Sequence, residues 1–212
     1  MMRSIFLVCL ACFAVNVFAQ SETKEPVKTN TRLAATAKPE PFDKADVKTM
    51  ASQCVSLNTE AGEIVMEMYP EQAPETVRNF LNLVAMGMLD TTTFSRVVPN
   101  FVIQGGDIWT REGGKVTREM GTRARRTIPD EPNKILHERG VVSMARGDEA
   151  NTASSHFFIL VTASTPLDGK FAAFGRVTKG MDIVDAINSA KVTDEKPEKP
   201  VRIKKAIVRT CQ

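Results

Sequence analysis

The sequence lacks an excess of charge of either sign. Among its 212 residues, 28 lysines and arginines stand against 25 aspartates and glutamates, a formal net charge of +3. Proteins that bind nucleic acid usually carry a stronger basic bias, so this class is not indicated. The one cluster of arginines, within residues 118–126, contains no aromatic residue on which a base could stack. It is interpreted as a solvent-exposed loop.

Metal-ligand and phosphate-binding patterns are missing as well. The two histidines, His137 and His156, have no other ligand residues at the spacing of a metal site, and both are interpreted as structural. The glycine pairs at 105–106 and 113–114 lack the strand, glycine loop and helix that bind phosphate. The sequence also has no repeat period and no heptad pattern, which argues against a solenoid or a coiled coil.

The apolar run at the N-terminus is short. Residues 1–19 contain Arg3, then an apolar stretch from Ile5 to Val15, and the small residues Val17 and Ala19 before a polar segment. This run is too short to span a bilayer comfortably, and the pattern is typical of a secretory signal peptide cleaved after Ala19. We therefore expect export and no membrane anchor after cleavage, a retained anchor being the alternative.

Large apolar side chains are scarce in residues 20–50. The segment is rich in charged residues and contains Pro26, Pro39 and Pro41. Such a composition cannot bury enough apolar surface to offset the cost of ordering the chain, so a disordered tether is predicted. The remaining residues, 51–212, suffice for one domain with its own core.

Cysteine is rare, and two of the four lie in the leader. The other two, Cys54 and Cys211, stand near opposite ends of the predicted domain. An oxidising compartment would let them form a disulfide, provided that the first and last strands are neighbours. The alternative is two buried thiols that behave as small hydrophobic side chains.

Most of the domain consists of short segments in which apolar and polar residues alternate. Eight of these are predicted strands: 55–59, 64–68, 93–98, 101–104, 141–146, 156–161, 172–178 and 202–209. Two segments have helical spacing instead, one from Pro74 to a stop at Gly87 and one over residues 181–189. Eight short strands and two amphipathic helices suggest a closed barrel with helix-covered ends, although the pattern also allows a sandwich.

Residues 94–107 carry a much more specific pattern. They read FSRVVPNFVIQGGD and resemble the signature of the cyclophilin-type peptidyl-prolyl isomerases, an aromatic residue, Arg-Val, a spacer, Phe, two apolar residues and Gln-Gly-Gly-Asp. The segments GVVSMA, SHFFI, LDGK and FGRV follow in family order. The resemblance extends over residues 54–212. The leader and the short loop IPDE at 128–131 make the chain most similar to the exported bacterial branch.

For the fold, this resemblance implies a mainly β structure, a closed eight-stranded antiparallel barrel capped by two helices, with the active groove on its outer surface. The first and last strands lie side by side in that arrangement, which favours the disulfide between Cys54 and Cys211. For function, it implies a peptidyl-prolyl cis-trans isomerase that accelerates X-Pro isomerisation during the folding of exported proteins.

The chemistry of such an enzyme is unusual because no bond is broken. Rotation about an X-Pro bond removes amide conjugation, with a barrier of about 18–20 kcal/mol. The enzyme needs no nucleophile and no cofactor, but it must stabilise a twisted amide whose nitrogen has regained its lone pair. Arg96 is the matching catalytic donor, because a guanidinium stays protonated. Gln104 is the second catalytic residue, placed to hold a substrate carbonyl.

The resemblance also implies a slot for the proline ring and contacts to the bound peptide. The expected substrate-binding residues are Phe101, Val102, Ala145, Arg146, Phe158, Leu167 and Phe171. Three positions depart from the family pattern. Val102 replaces a methionine, Phe171 replaces a histidine, and Pro166 replaces the residue whose indole binds cyclosporin in drug-sensitive members. We therefore expect looser proline packing and weak inhibition by that drug.

The expected partners are proline-containing polypeptides, and the enzyme is expected to act as a monomer in the periplasm. A secreted enzyme would carry the same leader and is the alternative location. Two alternative functions stay open at this point. One is a cyclophilin-fold peptide binder or chaperone with low turnover; the other is a secreted protein that recruits a partner through its basic loop.

Overall fold

The computed structural model describes residues 38–211, which are organised around one antiparallel sheet of eight strands. These strands are β1 (Gln53–Thr59), β2 (Glu63–Met68), β3 (Arg96–Val98), β4 (Val102–Gly105), β5 (Val141–Met144), β6 (Phe157–Leu160), β7 (Ala173–Lys179) and β10 (Ile203–Thr210). Their order across the sheet is β10-β1-β2-β7-β5-β6-β4-β3. Every neighbouring pair is antiparallel.

The two outermost strands, β10 and β3, approach each other just before their first residues. Thr93 and Arg202 form an antiparallel bridge there. The N–H of Phe94 donates to the carbonyl of Val201 at 3.0 Å. The sheet therefore returns on itself as a barrel, which satisfies backbone groups that an open edge would expose. The predicted mainly β fold of eight antiparallel strands is confirmed, with closure made by this short bridge rather than by a full ladder.

The barrel interior is packed with aliphatic and aromatic side chains. Residues 38–211 form four α-helices: α1 (Val47–Ala51), α2 (Pro74–Ala85), α3 (Arg118–Ala124) and α4 (Met181–Asn188). Phe80 of α2 is fully buried and packs against Phe157 and Phe174, with ring centroids 5.2 and 4.9 Å away. On α4, Val184 and Ile187 are buried as the predicted helical spacing requires.

No helix within residues 38–211 combines the length and apolarity needed to cross a bilayer.

The folded domain begins earlier than residue 51. Helix α1 is capped by Asp46, which accepts a hydrogen bond from the N–H of Thr49, and Met50 is fully buried in the core. The part of the predicted tether within residues 38–50 is therefore not a tether, because it packs against the barrel. The predicted signal peptide and the rest of the predicted tether, residues 1–37, lie outside the described residues.

The arginine cluster in residues 118–126 also differs from the exposed loop that was predicted for it. It contains α3, and Arg123 is only 8% exposed. Its guanidinium forms two hydrogen bonds with the equally buried carboxylate of Glu40, at 2.6 and 2.9 Å. Arg118, Arg125 and Arg126 are exposed as predicted. The prediction was wrong for the helix and for Arg123, whose neutralising partner lies 83 residues away in sequence. A buried arginine requires such a partner, and local composition does not reveal one.

Strands β1 and β10 are neighbours in the sheet, and a disulfide connects their outer ends. Cys54 lies on β1, and Cys211 follows the last residue of β10. Their sulfur atoms are bonded, with the two Cα atoms 5.0 Å apart. The N–H of Cys211 donates to the carbonyl of Ser52 at 2.9 Å, so the end of the chain is held in register with its partner strand.

A small hairpin that the sequence pattern did not indicate precedes β10. Its strands are β8 (Val192–Thr193) and β9 (Lys196–Pro197), joined by the two-residue turn Asp194-Glu195. The hairpin packs beside β3. It therefore brings a charged turn next to the strand that carries Arg96.

Candidate active site

The nine residues predicted to bind or act on substrate line one open groove on the outside of the barrel. The groove has a volume of about 370 Å³. Its lining residues are Arg96, Phe101, Val102, Gln104, Ala145, Arg146, Phe158, Leu167 and Phe171. They come from β3, β4, the end of β5, β6 and the loop between β6 and β7. The structure thus brings together residues that lie up to 75 positions apart in the sequence, from 96 to 171.

Arg96 and Gln104 are direct cross-strand partners on β3 and β4. Side chains that face each other in an antiparallel pair lie on the same face of the sheet, so both point to the groove. Nη1 of Arg96 donates to Oε1 of Gln104 at 3.1 Å. The pair between them, Val97 and Ile103, is fully buried on the opposite face. Strand alternation therefore separates the polar groove residues from the core.

Glu195 is a site residue that the sequence analysis missed. Its Oε2 accepts a hydrogen bond from Nε of Arg96 at 2.7 Å, across 99 residues of sequence. Its backbone carbonyl accepts from the N–H of Val97 at 2.8 Å. The residue stands in a charged stretch without a motif, so nothing local in the sequence marks it. Only the position of the β8–β9 hairpin beside β3 reveals the contact.

The apolar part of the groove has a floor of two buried side chains. Val102 and Phe158 form it and are 1% and 7% exposed. Phe157, next in sequence to Phe158, is fully buried on the core side, which agrees with the alternation expected of a strand. Phe171 meets Phe158 edge to face, with ring centroids 6.0 Å apart. Aromatic and aliphatic walls of this kind suit a compact apolar ring.

Arg146 lies at the rim, two residues beyond the end of β5. Its guanidinium is 5.0 Å from the ring centroid of Phe171, and its Nε is 3.3 Å from a carboxylate oxygen of Asp130. Ala145 donates its N–H to the carbonyl of His156 at 3.0 Å. His156 lines a second hollow of about 270 Å³ that adjoins the groove. The groove therefore continues past the apolar slot into more polar surroundings.

A buried polar network lies beneath the loop that carries Leu167. The backbone N–H of His137 donates to Oδ1 of Asp168 at 2.7 Å, and the ring Nδ1 is 3.1 Å from the same oxygen. The other ring nitrogen is 3.1 Å from the hydroxyl of Ser143, which donates to the carbonyl of Ala172. Ser143 is fully buried, so this serine, histidine and aspartate set is inaccessible to substrate and is not a hydrolytic triad.

The network shifts two pKa values. Burial lowers the pKa of His137 from its ordinary 6.5, with Asp168 partly offsetting the effect. The backbone N–H of His137 lowers the pKa of Asp168 from its ordinary 3.8. Both groups bind protons more readily in the unfolded chain, so both make the fold less stable as the pH falls through their range.

Asn188, at the end of α4, holds the turn between β3 and β4. Its amide nitrogen donates to the carbonyls of Val98 and Val102, at 2.9 and 3.1 Å. Its amide oxygen accepts from the N–H of Asn100 at 2.9 Å. These bonds connect α4 to the hairpin that carries Arg96, and they explain how a three-residue and a four-residue strand keep a defined geometry.

These contacts define the chemical character of the groove. A permanently charged donor stands beside an apolar slot on the surface of a β-barrel, and the groove residues form no nucleophile and base pair. Such a site binds a small apolar ring and stabilises a change of charge next to it. The arrangement fits the peptidyl-prolyl isomerase that the sequence resemblance implies.

Comparison with known proteins identifies the family. The family model for cyclophilin type peptidyl-prolyl cis-trans isomerases matches residues 54–208. A peptidyl-prolyl cis-trans isomerase of Schizosaccharomyces pombe, ppi1, is 39% identical over 157 residues, which cover 72% of this chain and 97% of the relative. Another, cyp18 of Streptomyces antibioticus, is 35% identical over 168 residues, covering 74% and 96%.

A solved structure supports the same family. The crystal structure of a Cryptosporidium parvum cyclophilin type peptidyl-prolyl cis-trans isomerase, obtained in the presence of the dipeptide Ala-Pro, has a TM-score of 0.64 and 27% identity, covering 74% of this chain and 99% of that one. The chain therefore belongs to the cyclophilin-type peptidyl-prolyl cis-trans isomerases, and it is an enzyme of that activity.

Proposed function

We propose that this isomerase acts on proline-containing polypeptides as they fold after export, as a monomer of the exported bacterial branch in the periplasm. Arg96 is the catalytic donor, and Gln104 holds the substrate carbonyl. The observation that carries the proposal is the hydrogen-bonded pair of Arg96 and Gln104, 3.1 Å apart and directly beside the apolar slot.

The slot would receive the proline ring. Val102, Phe158 and Leu167 supply apolar surface, and Phe171 adds a ring that meets Phe158 edge to face. Burying the ring there would leave the X-Pro bond next to the guanidinium. The crystal structure of the Cryptosporidium parvum enzyme was obtained in the presence of the dipeptide Ala-Pro, and a proline-containing ligand of that kind supports the proposal.

The catalytic step requires a positive charge next to the nitrogen of the X-Pro amide. As the amide twists, conjugation is lost and the nitrogen regains a lone pair that can accept a hydrogen bond. A guanidinium N–H aimed at that nitrogen stabilises the twisted state more than the planar state, and this difference lowers the barrier. Gln104 contributes by orienting Arg96 and by offering its amide N–H groups to the carbonyl of the peptide.

Two features support export. Residues 1–19 have the pattern of a signal peptide, with a charged start, a short apolar stretch and a small-residue cleavage site. The disulfide between Cys54 and Cys211 suits an oxidising compartment. Fractionation of a producing bacterium tests this. We expect a mature chain that begins at Gln20 in the periplasm; a mature chain in the medium supports secretion, and an uncleaved cytoplasmic chain would refute export.

The catalytic assignment is tested by Arg96→Ala in a protease-coupled assay on a short X-Pro peptide. We expect kcat/KM to fall about 100-fold or more, the loss typical when one preorganised donor is removed. Arg139→Ala is the matched control, because Arg139 is an exposed arginine paired with Asp185 away from the groove. Circular dichroism should show both variants folded.

The result also distinguishes a binder from an enzyme. If folded Arg96→Ala keeps full activity, Arg96 is not the donor and the assignment fails. If the wild type binds X-Pro peptides but has little turnover, the groove serves for holding, as in the peptide-binder alternative. Exchange-broadening NMR of the peptide measures binding and turnover in one sample.

A further inference from the structure

The turn of the β8–β9 hairpin has an unusual backbone. Asp194 and Glu195 both have positive φ angles, 50° and 62°. Two-residue turns with this geometry favour glycine or asparagine, because a side chain makes the left-handed region costly. A glutamate is therefore a poor choice for the turn itself. Such an outlier persists where surrounding contacts over-determine it.

The contacts that hold Glu195 lead to the catalytic strand. Its carbonyl accepts from the N–H of Val97 on β3, at 2.8 Å. Its carboxylate accepts from Nε of Arg96, at 2.7 Å. One residue of the turn therefore binds both the backbone of β3 and the side chain that this strand presents to the groove.

The geometry points to Glu195 as a positioning residue for Arg96, an inference that rests on the proposed catalytic role of Arg96. Within the described residues, Glu195 holds Nε and Gln104 holds Nη1. Two contacts on different nitrogens set the plane of the guanidinium. Of its five N–H groups, three stay available for a substrate.

Stability alone does not explain the ion pair. The side chains of Arg96 and Glu195 are 40% and 49% exposed, and pairs this exposed contribute little to folding. The pair can matter more for the orientation of the Arg96 guanidinium, because a displacement of about 1 Å at a reacting group can reduce the rate about 100-fold. The carboxylate also offsets some positive charge on Arg96, but water screens that effect at a half-exposed site. We therefore expect removal of Glu195 to slow catalysis.

The test uses Glu195→Gly and Glu195→Gln in the full domain. Glycine adopts a positive φ without strain, so the first variant removes the carboxylate without disturbing the turn. Glutamine keeps an oxygen that can accept from Nε. Asp194→Gly is the matched control, since Asp194 has the same charge and a positive φ but no side-chain hydrogen bond or ion pair within residues 38–211.

The measurements are kcat and KM, determined separately, and the ¹⁵N-edited NMR signal of the Arg96 Nε–H group. For Glu195→Gly we expect kcat to fall about tenfold with KM within about twofold, because orientation acts on the transition state. The Nε–H signal should exchange faster with water. Glu195→Gln should recover at least half of the activity, and Asp194→Gly should match the wild type.

Three results would overturn the inference: wild-type kcat in Glu195→Gly, an equal loss in Asp194→Gly, or the same Nε–H exchange rate with and without the carboxylate. A double-mutant cycle separates this from the catalytic assignment. In an Arg96→Ala background, Glu195→Gly should have no further effect if it acts through Arg96. Full activity of Arg96→Ala would reject the donor itself, whereas an inactive Arg96→Ala beside a fully active Glu195→Gly rejects only the positioning role.

Discussion

The barrel divides into two halves that differ in strand length and in what they carry. Strands β10, β1, β2 and β7 have 8, 7, 6 and 7 residues and form the long-strand half. Strands β5, β6, β4 and β3 have 4, 4, 4 and 3 residues and form the groove half. The disulfide lies in the first half, and every groove residue lies in or beside the second.

This difference has a physical reason. Long paired strands satisfy many backbone groups in one cooperative ladder, and the disulfide joins the first strand to the last. Short strands leave more chain in loops, where side chains such as Phe101, Arg146 and Leu167 can reach a ligand. The groove half then depends on side-chain contacts, among them those of Asn188 and Glu195, to keep its shape. Stability and catalysis are thus expected to respond to different substitutions.

The largest effect is expected from Cys54→Ser combined with Cys211→Ser. Opening a disulfide that closes so long a loop should lower the free energy of unfolding by about 4 kcal/mol, measured by urea denaturation. The kcat/KM of the folded protein should stay within about twofold, because the disulfide is in the long-strand half. If the folded variant loses activity at low urea, the separation of stability and catalysis between the two halves is wrong.

The next effect concerns Pro166, which is exposed in the short 3-10 helix Thr165–Leu167 at the edge of the groove. Cyclosporin should inhibit the wild type weakly, since no indole is offered at this position. In Pro166→Trp we expect inhibition at least about tenfold stronger, because an aromatic ring adds a large contact surface. Stability should hardly change at an exposed site. Submicromolar inhibition of the wild type would contradict the expectation.

A smaller change is expected from Val102→Met in the floor of the slot. The longer side chain should fill part of the groove and lower KM for an X-Pro peptide about threefold, with kcat within about twofold, since each buried methylene contributes about 0.8 kcal/mol. Val98→Met is the matched control, because Val98 is the cross-strand partner of Val102 but does not line the groove. A higher KM in Val102→Met would mean that the slot is already full.

The smallest effect is the acid sensitivity of the network under Leu167. The lowered pKa of Asp168 contributes stability that is present above pH 3.8 and is lost as the pH falls below it. In Asp168→Asn the free energy of unfolding should therefore depend less on pH in that range. Denaturation curves between about pH 5 and pH 2 measure this. An unchanged pH dependence would show that Asp168 does not contribute to the acid sensitivity of the fold.

The groove could be predicted from the sequence to an unusual degree. The segment FSRVVPNFVIQGGD contains Arg96 and Gln104 at a spacing that a tight hairpin converts into a cross-strand pair. The family resemblance indicated Phe158 for the groove, and strand alternation then places the neighbouring Phe157 in the core. These features are local, because a strand, a turn and a strand place their side chains without help from distant residues.

Other contacts could not be predicted, for one shared reason. Glu195 meets Arg96 across 99 residues, and Glu40 meets Arg123 across 83. Each of these acidic residues lies in a charged stretch where a solvated side chain is the ordinary expectation. Both pairs arise only when two segments that are remote in sequence become neighbours, so the start of the domain and the support of Arg96 were both missed.

The sequence by itself therefore determined the family and the alternation of the strands, because those depend on motifs and on the two-residue period of a strand. The resemblance to the family then indicated the nine residues that line the groove. Tertiary structure decided which charges are paired, where the domain begins and what orients the guanidinium of Arg96. Pairing depends on distance in space, and only the tertiary fold brings the β8–β9 turn and the end of α4 each within hydrogen-bonding reach of β3.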